Sequence, residues 1–584
     1  MKRAIAMSLL VCMTLAVTLS VVQAEPTEPK EKIKAFEKEW SSRVPREKNE
    51  AVKALPNDSK QYLESYIEIL KNEHWMIREQ GMVNLATATP DVLEGLVEEA
   101  RDLNDKKDDE RKLRAHIIFT LCVANQRNDA TWDYVREVLV NVDEDGDEGD
   151  YAVSNRIEAA LHMSNNYGEE VNKPNFEALF AVLKQLLGST EEDSKKADKE
   201  IEKKRKVLEK DKGLRHLKWL VVYAMEKLTS QRHGDLVNGW QIWWDGAKDG
   251  PILYRNDGEA VSTEVEGVEV KGRQYAREKQ DLPTDLELLI LPSVEFYGEW
   301  MEPYMYEFTK YFNVTMLRMP DASKMKDLKR PTDRNGTPDP NAYYQPVDRI
   351  YKIFEARRKE KGGNVGMIAL GATACFMAME YAKNQPDGIQ FIVCVGAYSG
   401  NDRFNSALES ARNQGGDSTL QWYAAILRTY YGPNGPREAF TEDQQFEAQI
   451  GRMSHLVFDP YSVNNIRMNQ IENQVNAKRR KEMEESGERP SGQASLIDGD
   501  YVFEGKKIKT PALFFYSKND KLGDKGSPNK LKGMFSNAHL VELEDTAAVP
   551  YVEDPMGFIE NFKEFMDEEE VWEKIKKDRK KDDE

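Results

Sequence analysis

The sequence predicts two folded units of different class, an all-α helical-repeat unit followed by an α/β unit, and three observations carry this. From about residue 55 to 245, apolar residues recur at three- and four-residue spacing with almost no strand signal. After Gly250 the period changes, and short apolar runs alternate with amphipathic segments, the pattern of a mostly parallel sheet covered by helices. Around 365–382 the stretch VGMIALGATACFMAMEYA runs from an apolar strand through small residues into a helix. At 584 residues the chain is too long for one core.

Lys2 and Arg3, an apolar stretch from Ala4 to Val22 and the small-residue site Val22-Gln23-Ala24 have the three regions of a secretory signal peptide. The expectation is an exported protein, periplasmic or secreted, cleaved near Ala24 and not membrane-spanning afterwards. Losing Lys2 and Arg3 would take the net charge from −19 to −21, which argues against nucleic acid as a partner, since that needs a basic face. Of the four cysteines, Cys122, Cys375 and Cys394 would remain, an odd number that argues against a disulfide framework.

Residues 25–54 read as a linker, and 55–249 as the helical unit. Within it HWMIREQGMVNLA, KLRAHIIFTLCVA, NRIEAALHMS and LRHLKWLVVYAMEKL share a character and place Arg78, Arg114, Arg156 and Arg215 at equivalent points. The spacing is near forty residues, with a charged insertion from Glu191 before the last, which points to stacked helix pairs. This stretch resembles HEAT repeats, which implies an α-solenoid whose surface holds a protein partner. Trp240, Trp243 and Trp244 in NGWQIWWDG read as an apolar cap on the last repeat; the alternative is a polysaccharide-binding platform. The acidic DEDGDEGD from Asp143 lacks the glycine and glutamate of an EF-hand loop, so no metal is expected.

The α/β unit is expected over 250–566, with a charged tail at 567–584. ILYRNDG and EVEGVEVKGRQY read as short strands; the buried strand candidates are LELLILP, NVTMLRMP, VGMIALG, IQFIVCVGA, PALFFYS and AHLVEL. A helical stretch at about 401–500 reads as a cap over the sheet.

In its strand order, its small-residue turn and its late strand-plus-acid phrase PALFFYSKND, the region from about 251 to 566 resembles the α/β-hydrolase fold. That resemblance implies a nucleophile on a Gly-x-Ser-x-Gly elbow, then an acid, then a histidine base. The elbow here reads Gly371-Ala372-Thr373-Ala374-Cys375, Asp520 matches the acid, and the histidine position in EDTAAVPYVEDP is Ala548. At the oxyanion-loop position stand Ser293, Val294 and Glu295, and a carboxylate there would oppose a developing oxyanion.

Threonine can act as a nucleophile beside a base, but a hydroxyl without one lacks a proton-transfer contribution of about 10²- to 10⁴-fold. His539 lies near the start of the last strand, His455 lies in the cap, and Cys375 falls two residues past the elbow centre, in packing. The expected function is therefore binding by a catalytically inactive or impaired hydrolase-fold protein, with a protein partner on the helical repeats and a small apolar ligand under the cap. No cofactor is expected. The alternative is an active hydrolase or acyltransferase on an ester or related acyl substrate, with Thr373 as nucleophile.

Overall fold

A computed structural model gives the architecture and describes residues 29–142, 147–188, 195–252, 258–265, 268–276, 286–292, 296–317, 365–384, 389–398, 401–413, 418–431, 440–486, 507–523, 526–569 and 571. The signal segment, the start of the acidic loop at 143–146 and the tail beyond 571 lie outside the described residues. The chain divides into a helical unit, Pro26–Asp257, and an α/β unit, Gly258–Pro460 with Asn464–Glu584.

The expected linker at 25–54 gives way to two helices, α1 (Pro29–Trp40) and α2 (Pro45–Ala54), which bury Phe36, Ala51 and Val52. Their heavily charged sequence leaves so few apolar positions that the helical period is faint. After them come α3 (Leu63–Leu70), α4 (Trp75–Leu85), α5 (Pro90–Arg101), α6 (Asp108–Val123), α7 (Asp129–Val140), α8 (Val153–Met163), α9 (Glu169–Leu187), α10 (Lys195–Lys210), α11 (Lys212–Thr229) and α12 (Val237–Ala247). Helices α3, α5, α7, α9 and α12 each pack on the next in one row, and α6, α8 and α11 do so in a second.

The four equivalent arginines have one structural task. Arg78 on α4 donates to the carbonyls of Asn72 (2.6 Å) and Glu73 (3.1 Å), just past the end of α3. Arg114 on α6 donates to Ala100 (2.5 Å) and Leu103 past α5, Arg156 on α8 to Leu139 (2.9 Å) in α7, and Arg215 on α11 to Glu209 in α10. The last carbonyls of a helix have no partner within it and carry the negative end of its dipole, so a guanidinium from the next helix satisfies both. At the end of the unit the Phe176 ring lies 5.8, 5.3 and 4.7 Å from Trp240, Trp243 and Trp244, and Trp240 Nε1 donates to Gly234 O at 2.8 Å. Trp240 and Trp244 are buried and Trp243 is half-buried, so two of the three rings belong to the core of the unit.

In the α/β unit all six buried strand candidates form strands: β3 (Glu287–Pro292), β4 (Asn313–Leu317), β5 (Val365–Leu370), β6 (Phe391–Val395), β7 (Ala512–Tyr516) and β8 (Ala538–Glu542). Ahead of them the alternating stretch folds as a hairpin of β1 (Glu259–Val265) and β2 (Val268–Tyr275). Of ILYRNDG, residues 253–257 lie outside the described ones. The sheet order is β1-β2-β4-β3-β5-β6-β7-β8, with β2 antiparallel to both neighbours and β3 to β8 parallel. This is the order of the α/β-hydrolase fold. Every residue of β3, β5 and β6 is buried, as strands covered on both faces require.

A 3₁₀ segment, Gly298–Tyr304, leads into α13 (Met305–Thr309), and α14 (Ala372–Asn384) follows β5 directly. The expected cap is helical: α15 (Asn401–Asn413), α16 (Ser418–Tyr431), α17 (Glu442–Ser454) and α18 (Asn464–Ser486). After β7 come α19 (Ser527–Met534), then β8, α20 (Pro550–Glu553) and α21 (Pro555–Glu568). No described helix is long and apolar enough to cross a membrane.

Candidate functional site

The strand-to-helix connection after β5 forms where the small residues predict it, but its sharp turn is not at Thr373. The residue with positive φ is Gly371, at +86°, whose amide donates to Val395 O at 2.8 Å. Its carbonyl accepts the Cys375 amide at 3.0 Å and so opens α14, of which Thr373 is already the second residue. A β-branched residue is poorly suited to positive φ, whereas glycine adopts it without strain, so the turn falls two residues earlier than the motif suggests. In a nucleophile elbow the reacting side chain stands on the sharp turn itself. In this chain the positive φ falls on Gly371, two residues before the motif's nucleophile position at Thr373.

Gly396, after β6, also has positive φ, at +70°. A Cβ there would lie 3.7 Å from the Gly371 Cα, so the two glycines let the ends of β5 and β6 approach closely. Cys375 is fully buried, with Sγ 3.4 Å from Ala369 O and 3.3 Å from Val395 O, a thiol directed into packing. Cys394 is buried beside it, both cysteines are free, and burial pushes the Cys394 thiol up.

Asp520 follows β7 and closes a turn on itself, with Oδ1 accepting the Leu522 amide at 3.0 Å. Desolvation pushes its carboxyl up to about 6 against the pull of the Leu522 and Gly523 amides. Ser517 Oγ donates to Thr546 O, and Asn519 Nδ2 donates to the same carbonyl at 3.3 Å, tying the acid loop to the loop after β8. Ala548 sits buried in that second loop.

Two histidines have partners of their own. His455 is buried, its Nδ1 3.1 Å from Gly451 O and its ring stacked on Tyr423 at 4.9 Å. Burial drives its pKa down to about 4, so the ring is neutral at pH 7. His539 lies at the start of β8, with Nε2 2.7 Å from Glu569 and Nδ1 3.3 Å from Glu568. Ser293, Val294 and Glu295 lie outside the described residues, as does the Thr373 side chain.

Sequence reasoning passed over Glu553. Its two oxygens accept the amides of Phe458 and Ala547, both at 2.6 Å, and desolvation pushes its carboxyl up to about 7. With the Val549 amide donating to Leu456 O at 3.3 Å, it pins the segment after α17 onto the loop carrying Ala548. The one available signal was position, a carboxylate five residues after Ala548.

A cavity of about 240 Å³ opens where the ends of β6, β7 and β8 meet α19. Asp520 and Ala548 both line it, and among the described residues none of the four cap helices does.

No protein-family model matches the chain, and no curated protein matches it. Solved structures do. A proline iminopeptidase from Mycobacterium smegmatis is 14% identical, over 54% of this chain and 99% of that one, with a TM-score of 0.38. A proline iminopeptidase-related protein from Thermus thermophilus is 13% identical, over 53% and 98%, with a TM-score of 0.35. An α/β-hydrolase-fold protein from Chitinophaga pinensis is 14% identical, over 53% and 99%, with a TM-score of 0.32. At these values the likeness says nothing about activity. The assignment of the second unit as an α/β-hydrolase-fold domain rests on its own strand order.

Proposed function

We propose that this chain is an exported binding protein whose α/β-hydrolase-fold unit does not carry out acyl transfer. The observation that carries this is the backbone after β5, where the positive φ of +86° falls on Gly371 and Thr373 already lies inside α14. Two further features support it. Ala548 stands in place of a base, and Asp520, which would orient an imidazole, bonds its own turn instead. His455 and His539 are each engaged elsewhere.

The helical unit is read as a HEAT-like array that offers a surface to a protein partner. Its two rows of packed helices and its recurring arginine-to-carbonyl bonds support that reading.

The test is turnover of short- and long-chain 4-nitrophenyl esters and thioesters by the chain without residues 1–24, beside Thr373→Val. Rates equal to buffer for both proteins are expected. A rate above buffer that disappears in Thr373→Val would establish Thr373 as a nucleophile and overturn the proposal.

A further inference from the structure

The cavity at the edge of β6, β7 and β8 has a chemical character of its own. Its described wall is mainly apolar, with Phe514, Leu531 and Ala548 among it, and into this wall is set the Asp520 carboxylate. Lys518 and Glu542 also line it, and both are exposed at their side chains, 59% and 36%, so they mark its open side. The Lys518 Nζ lies 3.8 Å from Glu542, so the one cation among the described lining residues is matched by a carboxylate already. Asp520 has no such match. Its carboxylate takes the backbone amides of Leu522 and Gly523, and no described lysine, arginine or histidine pairs with it.

A carboxylate that is only part-exposed in a mainly apolar wall, and given no cation by the described residues, is unfavourable unless something else supplies the charge or the proton. The raised pKa of Asp520 is the signature of that condition, and the cavity beside it is large enough for a ring-sized molecule.

We propose that this cavity binds a small organic cation, a protonated amine or an imidazolium ring, whose N–H donates to Asp520 while its apolar body packs on Phe514, Leu531 and Ala548. The proposal rests on the binding reading of the α/β unit and names the class of ligand for it. A cation so placed relieves the desolvated carboxylate, so occupancy draws a proton off Asp520 at pH values below about 6.

The experiment is ligand-observed NMR with imidazole as the probe and thiazole as a ring of the same size with no N–H donor, on the chain without residues 1–24 at pH 7. Imidazole is expected to saturate with a Kd of about a millimolar or tighter and thiazole to bind at least about tenfold more weakly. Asp520→Asn should weaken imidazole by about tenfold. Ala548→Leu, which fills the cavity and leaves the charge, should abolish binding while its circular dichroism stays that of the wild type. Absence of imidazole binding, equal binding of thiazole, or wild-type affinity in a folded Ala548→Leu would each overturn the site while leaving the non-catalytic reading intact. Ester turnover that emerges only with protein and imidazole together, above the rate of the same imidazole in buffer, would do the reverse, sinking the non-catalytic reading and keeping the site.

Discussion

Arg114→Ala is the substitution whose cost is best defined by the structure. The guanidinium and its partner Asp105 are almost completely buried, at 3% and 2% side-chain exposure, with Nε to Oδ1 at 2.7 Å. Arg114 also donates to Ala100 O at 2.5 Å, Tyr134 Oη at 2.8 Å and Leu103 O. Removing one member of a buried pair costs about 3–5 kcal/mol, because the other charge is left uncompensated. Asp105 would keep two donors, the Ala152 amide at 2.6 Å and Asn155 Nδ2 at 2.9 Å, which sets the loss towards the lower end of that range. The control is Arg111→Ala, whose ion pair with Asp108 is exposed, at 36% and 61%, and should cost at most about 1 kcal/mol. Urea unfolding followed by far-UV circular dichroism compares the two. If Arg114→Ala costs no more than Arg111→Ala, the reading of these arginines as the bolts between successive helices is wrong.

Three other outcomes follow from packing and charge. Phe176→Ala should destabilise the helical unit by about 3–5 kcal/mol, with a red shift in tryptophan emission as Trp240 and Trp244 lose their cover. Gly451→Ala would put a Cβ 2.2 Å from Thr419 O, a backbone atom that cannot turn aside, so it should separate α16 from α17 and cost about 1–3 kcal/mol in thermal unfolding. Glu553 has a folded pKa of about 7 against an ordinary 4.5, so the folded state holds its proton more tightly. Its contribution is full below pH 4.5 and is lost as pH rises towards 7, on the order of a few kcal/mol; Glu553→Gln should flatten that part of the stability–pH curve, and an unchanged slope would refute the assignment.

The six strands were legible because each is a short apolar run bounded by turn residues; β3, β5 and β6 are buried throughout, whereas β8, at the edge of the sheet, has no buried residue, against the expectation of a buried strand there. The arginines were legible as equivalents because one spacing recurs; their task was not, since it depends on which carbonyls the preceding helix leaves unpaired. Helices α1 and α2 were missed because charge dilutes their period. The motif marks Thr373 as the nucleophile position but does not say where the backbone turns; the positive φ falls on the one residue of that run that accepts it without strain, Gly371. The clamp of Glu553 and the unmatched charge of Asp520 depend on approach between loops far apart in sequence. No local pattern encodes them.

The most direct test of the central claim is the intact mass of the protein, without residues 1–24, after exposure to a fluorophosphonate under conditions that fully label a serine hydrolase run alongside. The proposed non-catalytic reading, with no base to activate Thr373, predicts an unchanged mass. A single stoichiometric adduct, mapped by peptide sequencing to Thr373, would contradict the account.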